Sequence, residues 1–301
     1  MDCRLNSTLK YSFIFIFILG GLFPTLAQFD TKFWMPPIWE DGIASQNNPS
    51  ELFITTPYPD PVAVHIQTPD GITFVLDTTV MSGAPLQVPL STTLGQTNMA
   101  NTVMSDNGFY VVSSKPIQCV HKVAGQLNQT LVTLKGTNGL GTDFWCGSQV
   151  RNENGTYGPD EHHFISVQAQ TNNTQITFET PFAMWSATGP LPNPLTITLN
   201  AGESYLIRGD GPLEHVAGAH VTSTEEITVI SGSTHTRILG GNAADGGADQ
   251  LVPVDLMGTG FIVVKGDNTN PFDYAIIVAT EDNTQVFVDG GATPVATLNA
   301  G

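Results

Sequence analysis

Few residues of this chain are spaced for chemistry, and most of those lie in long polar stretches. "DEHH" at 160–163 and the carboxylates of Asp245 and Asp249 offer the imidazole and oxygen donors that a metal takes. Their spacing matches neither a closed zinc pattern nor a calcium loop with ligands at alternate positions, so no metal or other cofactor is expected. They read as solvated loop charge, with Asp245 and Asp249 kept as ligand-contacting candidates. Phe182, Met184 and Trp185 stand among prolines in the stretch 179–194. Exposed aromatics there would stack on a sugar or anchor a protein partner; the alternative is that they pack down over the edge of an element. "RGD" at 208–210 has the form of an integrin motif, but Gly and Asp after a strand are ordinary turn residues.

Catalysis has less to stand on. The chain holds no GxSxG elbow, HExxH, phosphate-binding loop or paired Cys and His, and its seven histidines are scattered. A non-enzyme is expected. The formal net charge of −17 repels phosphate backbones and excludes nucleic acid and anionic membrane as partners.

Residues 1–27 read as a secretory signal: Arg4 and Lys10 precede the apolar run "YSFIFIFILGGLF", and "TLA" places cleavage between Ala27 and Gln28. Residues 28–301 are then an exported all-β repeat domain that does not insert into a membrane. Three "Asn-X-Thr" sequences, at Asn128, Asn154 and Asn172, would be glycosylation acceptors in a eukaryotic secretory route.

The elements that must carry these residues are strands. Short alternating segments such as "VAVHI", "ITVI" and "QVFV" recur between Gly, Pro, Asn and Asp punctuation, and no helical periodicity is present. They recur in order. "SSKPIQCV" at 113–120 is answered by "STEEITVI" at 223–230, and "NNTQITF" at 172–178 by "DNTQVFV" at 282–288, each 110 residues later. The phrase Gly or Asp, Thr, any residue, Phe and a large apolar residue occurs three times, in "DTKFW", "GTDFW" and "GTGFI".

A shorter echo of about 56 residues aligns "LTITLNAGESYLI" at 195–207 with "LVPVDLMGTGFIVV" at 251–264. It predicts a β-propeller-like array of four-stranded blades, with tandem β-sandwiches of about 110 residues as the alternative. In the propeller frame the array reads as truncated in its fifth blade, and "DTKFW" becomes a candidate ring clasp. Cys119 and Cys146 would lie two strands apart in one blade, about 9.5 Å and beyond disulfide reach, so two free thiols are expected. The short links fall on one side of the blades. The long ones, 39–50, 147–163, 179–194, 208–218 and 231–249, fall on the other, which is where a ligand site is expected.

"ELFITT", "SSKPIQCV", "ADQLVPVDLMGTGFIVV" and "IIVATEDNTQVFV", with the Phe-Trp start after the signal, together resemble the N-terminal domain family named after the IgG Fc-binding protein of mucus, which also occurs in large bacterial surface proteins. The resemblance implies an extracellular, non-enzymatic module of adhesion, mucus or surface-matrix proteins, joined to further domains. The first expectation for its ligand is a glycan or glycoprotein, taken at the face of long links. The resemblance carries no motif for IgG. The competing expectations are a polysaccharide-active propeller enzyme and a structural spacer without a ligand.

Overall fold

The computed structural model describes residues 28–39, 50–71, 74–90, 92–123, 130–148, 162–186, 188–209, 214–237, 244–264 and 275–301. The signal segment 1–27, Asn128, Asn154 and Asp210 lie outside them. The strands are built twice on one plan. In the first unit β1 is Asp30–Met35, β2 Ser50–Thr55, β3 Val62–Gln67, β4 Phe74–Val80, β5 Leu86–Leu90, β6 Phe109–Val123 and β7 Thr130–Thr133. In the second, β8 is Leu140–Trp145, β9 His163–Ala169, β10 Thr174–Glu179, β11 Leu195–Leu199, β12 Ser204–Arg208, β13 His220–Arg237 and β14 Ala244–Gln250.

Each unit is one antiparallel sheet folded over a corner, and the long strand runs through both layers. The first half of β13 pairs β8 on one side and β10 on the other; its second half pairs β14 and β9. β11 lies beside β10, and β12 beside β9. The first unit repeats this arrangement, with β6 flanked by β1 and β3, then by β7 and β2. β9 and β10 are both antiparallel to β13, so the chain does not reverse at "TNN"; it turns a corner and continues.

The corner has its own chemistry. "SSKP" and "STEE" interrupt the ladders at the same place, where β1 skips from Ile117 to Val112 and β8 from Ile227 to Thr222. Ser113 Oγ donates to the Lys115 carbonyl at 2.8 Å, and Ser223 Oγ to the Glu225 carbonyl at 2.7 Å. Each short hydroxyl satisfies a carbonyl that the bulge takes out of the ladder. Alongside, Asn173 adopts φ 60°, its N–H donates to Asn200 Oδ1 at 3.4 Å, and the Ala201 N–H donates to Asn172 Oδ1 at 3.0 Å. Asn tolerates the left-handed region and carries its own acceptor, which is why it occupies these positions.

This architecture is not the array of four-stranded blades. In a blade, consecutive strands are neighbours, whereas β9 and β10 lie end to end along one long strand. The period the chain uses is the one near 110. The 56-residue echo aligns β12, which lies beside β9, with residues 258–264, which copy β8 and form no ladder. The clasp reading of "DTKFW" gives way likewise: β1 is the ordinary first strand of its own unit. Cys119 lies in the first core and Cys146 in the second, both buried free thiols.

Side-chain alternation fills the space between the layers. In β3, Val62, Val64 and Ile66 point in while Ala63 and His65 point out. Phe33 and Phe144, from the first two copies of the repeated phrase, are fully buried. β9 is buried on both faces: Phe164 packs into the first core, and Ile165 and Val167 into the second. The two units therefore share a wall.

Gln250, 1% exposed, ties them further. Its Nε2 donates to the Trp34 carbonyl at 2.9 Å and to Thr228 Oγ1 at 2.6 Å, while its Oε1 accepts from the Lys135 N–H at 2.6 Å. Asp30 holds the same seam, accepting from the Thr137 N–H at 2.7 Å.

A third copy begins after β14. Residues 275–281 repeat 165–171, and β15 (Thr284–Val286) pairs β16 (Ala296–Leu298) as β10 pairs β11. The corner is copied too: Asn283 has φ 60°, its N–H donates to Asn299 Oδ1 at 3.3 Å, and the Ala300 N–H donates to Asp282 Oδ1 at 3.1 Å.

Two outcomes follow from this packing. Phe144→Ala should cost about 3–5 kcal/mol in chemical denaturation, whereas Phe261→Ala, at the same position of the third copy but 78% exposed, should stay within about 0.5 kcal/mol of the parent. The second concerns His121, which is wholly buried against Phe109 with neither ring nitrogen hydrogen-bonded; burial pushes its pKa down to about 3. The unfolded chain takes up this proton near pH 6.5 and the fold does not. Stability should therefore fall by up to about 1.4 kcal/mol per pH unit from pH 6.5 toward 3, and His121→Leu should remove that part of the slope.

Candidate functional site

Opposite the corner, the two layers of the second unit end in a rim, and there the described ends of several long connections lie together. Trp39 stands at the start of the link 39–50, His162 at the end of 147–163, and Arg208 at the start of 208–218. The Arg208 guanidinium lies 5.0 Å from the centre of the Trp39 ring, and its Nη1 is 3.1 and 2.5 Å from the two nitrogens of His162. The His162 ring meets Trp39 edge-on at 5.6 Å. Trp39 and His162 are buried, 5% and 4% exposed, so the cation is held on a desolvated aromatic face.

Trp185 enters the same rim through its backbone, opposite Arg208 in the ladder, and its carbonyl accepts from Asn101 Nδ2. Its link is braced internally: the Thr180 N–H donates to Asn193 Oδ1 at 3.1 Å, and Asn193 Nδ2 returns a bond to the Thr180 carbonyl at 2.7 Å. Held this way, the segment lays Met184, 3% exposed, over the mouth of the second core. Phe182 remains 38% exposed and meets the His215 ring edge-on at 4.9 Å. Burial holds the His215 pKa below its ordinary value.

The five residues singled out in the sequence thus divide. Phe182 and Trp185 are at the rim, and Met184 is a core plug. Asp249 is on β14, where its carboxylate pairs with Lys135 Nζ at 2.8 Å. Asp245 is on the same strand, opposite Thr236. No contact joins Asp249 to the aromatic segment among the described residues. Gln28, beside the expected cleavage point, accepts a hydrogen bond from Gln118 Nε2 at 3.0 Å.

Asp160 and Glu161 of the metal reading, like Asp210 of the integrin reading, lie outside the described residues. The half-buried Arg208 places its positive charge against His162. His163 Nδ1 lies 3.3 Å from Ser148 Oγ, and among the described residues no group of three or more His, Cys, Asp or Glu is placed to hold a metal ion. Trp39, His162 and Arg208 were legible only as loop ends; nothing in their spacing, 39, 162 and 208, announces a cluster.

Residues 128–301 match the family described as IgGFc binding protein, which is more than half of the chain. The chain belongs to the IgG Fc-binding protein family. The match takes in β7, the second unit and the third copy; the rest of the first unit, built on the same plan, precedes it. No curated protein matches the chain, and neither does any solved structure. Members of this family are typically extracellular, and among the described residues no helix is long and apolar enough to cross a membrane.

A concave place lies on the first unit, a shallow depression of about 330 Å³ whose lining includes Val64, His65, Asp77, Thr78, Val112 and Ser113. His65 Nδ1 is 2.8 Å from Asp77 Oδ1, and Nε2 is 2.8 Å from Gln67 Oε1. Both neighbours are acceptors, so the pair favours the doubly protonated ring and raises its pKa, the Asp77 hydrogen bond contributing most. A ring whose two nitrogens are both engaged is poorly placed to serve as a general base. This contribution to stability is present below pH 6.5 and is lost as pH rises through the raised pKa. An NMR titration should place the His65 midpoint above 6.5, and Asp77→Asn should bring it down.

Proposed function

We propose that the protein is an extracellular, non-catalytic binding module that takes a glycan or glycoprotein at the rim of the second unit. One observation supports the reading above others: four separate connections are anchored at one end of a rigid folded sheet, around Trp39, His162, Arg208 and Trp185. Variable links on a fixed scaffold are the usual way to build a recognition surface without altering a core. The half-buried Arg208 on the buried Trp39 serves as the floor. Phe182 and Trp185 supply aromatic surface, the type of group that stacks on sugar rings and anchors protein partners.

The family description makes the Fc portion of IgG, itself a glycoprotein, a ligand to include among the probes. Export through the segment 1–27 and attachment to further domains belong to the same proposal.

The test is a glycan array together with immobilised mucin and IgG Fc, using the full chain, Phe182→Ala and Trp185→Ala. Binding by the parent that weakens at least about tenfold in either variant, with the thermal midpoint of Phe182→Ala unchanged, supports the rim. Binding indifferent to both substitutions moves the site elsewhere, no binding to any probe favours a spacer, and turnover of a polysaccharide overturns the non-catalytic reading.

A further inference from the structure

One segment, residues 92–101, joins the ring of His121 in the first core to the rim of the second unit. It begins as the short helix Thr92–Gly95, and a Cβ at Gly95 would stand 2.6 Å from both Cε1 and Nε2 of His121. Only glycine admits that approach. The next two residues, Gln96 and Thr97, are buried and run parallel to Ile38 and Trp39. Farther on, the Met99 N–H donates to Thr97 Oγ1 at 3.0 Å, the Asn101 N–H to the Leu206 carbonyl at 2.8 Å, and Asn101 Nδ2 to the Trp185 carbonyl. The segment thus sits on a core histidine at one end, holds the backbone of Trp39 in its middle, and reaches Trp185 and the strand of Arg208 at the other.

What surrounds His121 is apolar. Its ladder neighbours are the buried Leu52 of β2 and Val132 of β7, and Phe109 meets its ring edge-on at 5.3 Å. The helix Thr92–Gly95 carries no charged residue. Glu51 and Lys122, next in sequence to Leu52 and His121, pair with each other at 3.2 Å on the opposite face of the sheet. Cys119, two residues along the same face of β6, stays a neutral thiol because burial pushes its pKa up. Among the described residues no carboxylate therefore faces the ring, and an imidazolium there would be uncompensated. Burial holds the His121 pKa at about 3, against 6.5 for a ring in water.

We propose that residues 92–101 are an acid-released strap: a proton on His121 displaces the helix seated on its ring, and the segment that lifts takes with it the supports of Trp39 and Trp185. Few connections have to break. Lifting the helix costs the bond from the Gly108 N–H to the Leu94 carbonyl, 2.7 Å, and the pairing of 96–97 with 38–39. It leaves the ladders of β6 whole, because at His121 these run to β2 and β7. The charged ring is hydrated only in the lifted state, so the closed strap is fully favoured above pH 6.5 and loses ground as pH falls toward 3. The open fraction rises by up to about tenfold per pH unit across that window. A ligand at the rim would then be let go in acid, a consequence that rests on the rim reading above.

The strap is tested without any ligand, so its failure is distinct from failure of the rim, which shows as binding indifferent to Phe182→Ala and Trp185→Ala. Hydrogen exchange of the full chain is compared at pH 7 and pH 5, corrected for the intrinsic pH dependence of the amides. Protection of 96–97, Asn101 and 38–39 should fall at least about tenfold, while β2, β7 and β13 keep theirs. His121→Leu should abolish the fall. A second pair of variants reads the contact at constant pH: Gly95→Ala, whose methyl group intrudes on the ring, should lower the same protection at least about tenfold at pH 7, and His121→Ala in that background should restore it. The proposal is overturned by protection of 92–101 that is equal at the two pH values, by a loss spread evenly over the first unit, or by a fall that survives His121→Leu.

Discussion

Everything in this molecule depends on a strand that bends without ending. β6 and β13 each serve two layers, and they can do so because a serine hydroxyl takes over a carbonyl that the bulge removes from the ladder. A bend of this kind is expensive wherever a polar backbone group is left unpaired out of water. Here the corner pairs its groups locally, and alongside it Asn172 and Asn200 each accept from a backbone N–H of the other's link. The sheet can then fold over itself and enclose apolar side chains that a flat sheet would leave exposed on one face.

From the corner follows the placement of the links. Strands that continue through a bend need only a few residues there, so the short polar links collect along one line. The segments that truly reverse or cross between layers are left at the opposite rim. Sharing β9 between two cores fixes the second rim relative to the first unit, and Gln250 secures the seam with three hydrogen bonds from one side chain. Truncating that side chain would strand the Trp34 carbonyl and the Lys135 N–H in a buried seam, which is why a polar residue sits there. The rim gains from this rigidity: Trp39 belongs to the first unit, Arg208 and His162 to the second, and their stacking requires the units to hold one relation.

The all-β class, the 110-residue repeat and the separation of short from long links were all legible in the residues, since alternation and turn chemistry are local. What was not legible is the direction the chain takes after each short link. "STEE" and "TNN" carry residues that serve a reversing turn and a bulged corner equally well, because in both a short side chain satisfies its own backbone. Read as reversals they give blades; as corners they give a folded sheet. The 56-residue echo strengthened the wrong choice, since a glycine turn followed by an aromatic strand occurs at two places with different neighbours. Met184 shows the same limit for the site. Its stretch reads as a loop of exposed apolar residues, and only the braces between Thr180 and Asn193 decide which of them turns inward.

The difference between Phe144 and Phe261 separates what a repeat encodes locally from what it needs from elsewhere. Both follow the same glycine and threonine, and the corner of the third copy closes with the same hydrogen bonds as that of the second. Local chemistry is therefore sufficient to pair two strands of a unit and close its corner. In the second unit the burial of Phe144, Val167 and Phe178 comes with the long strand, which pairs β8, β9 and β10. A sheet that depends on a single element for its core is complete or open in one step, and this makes the long strand, rather than any link or loop, the point at which such a unit is assembled.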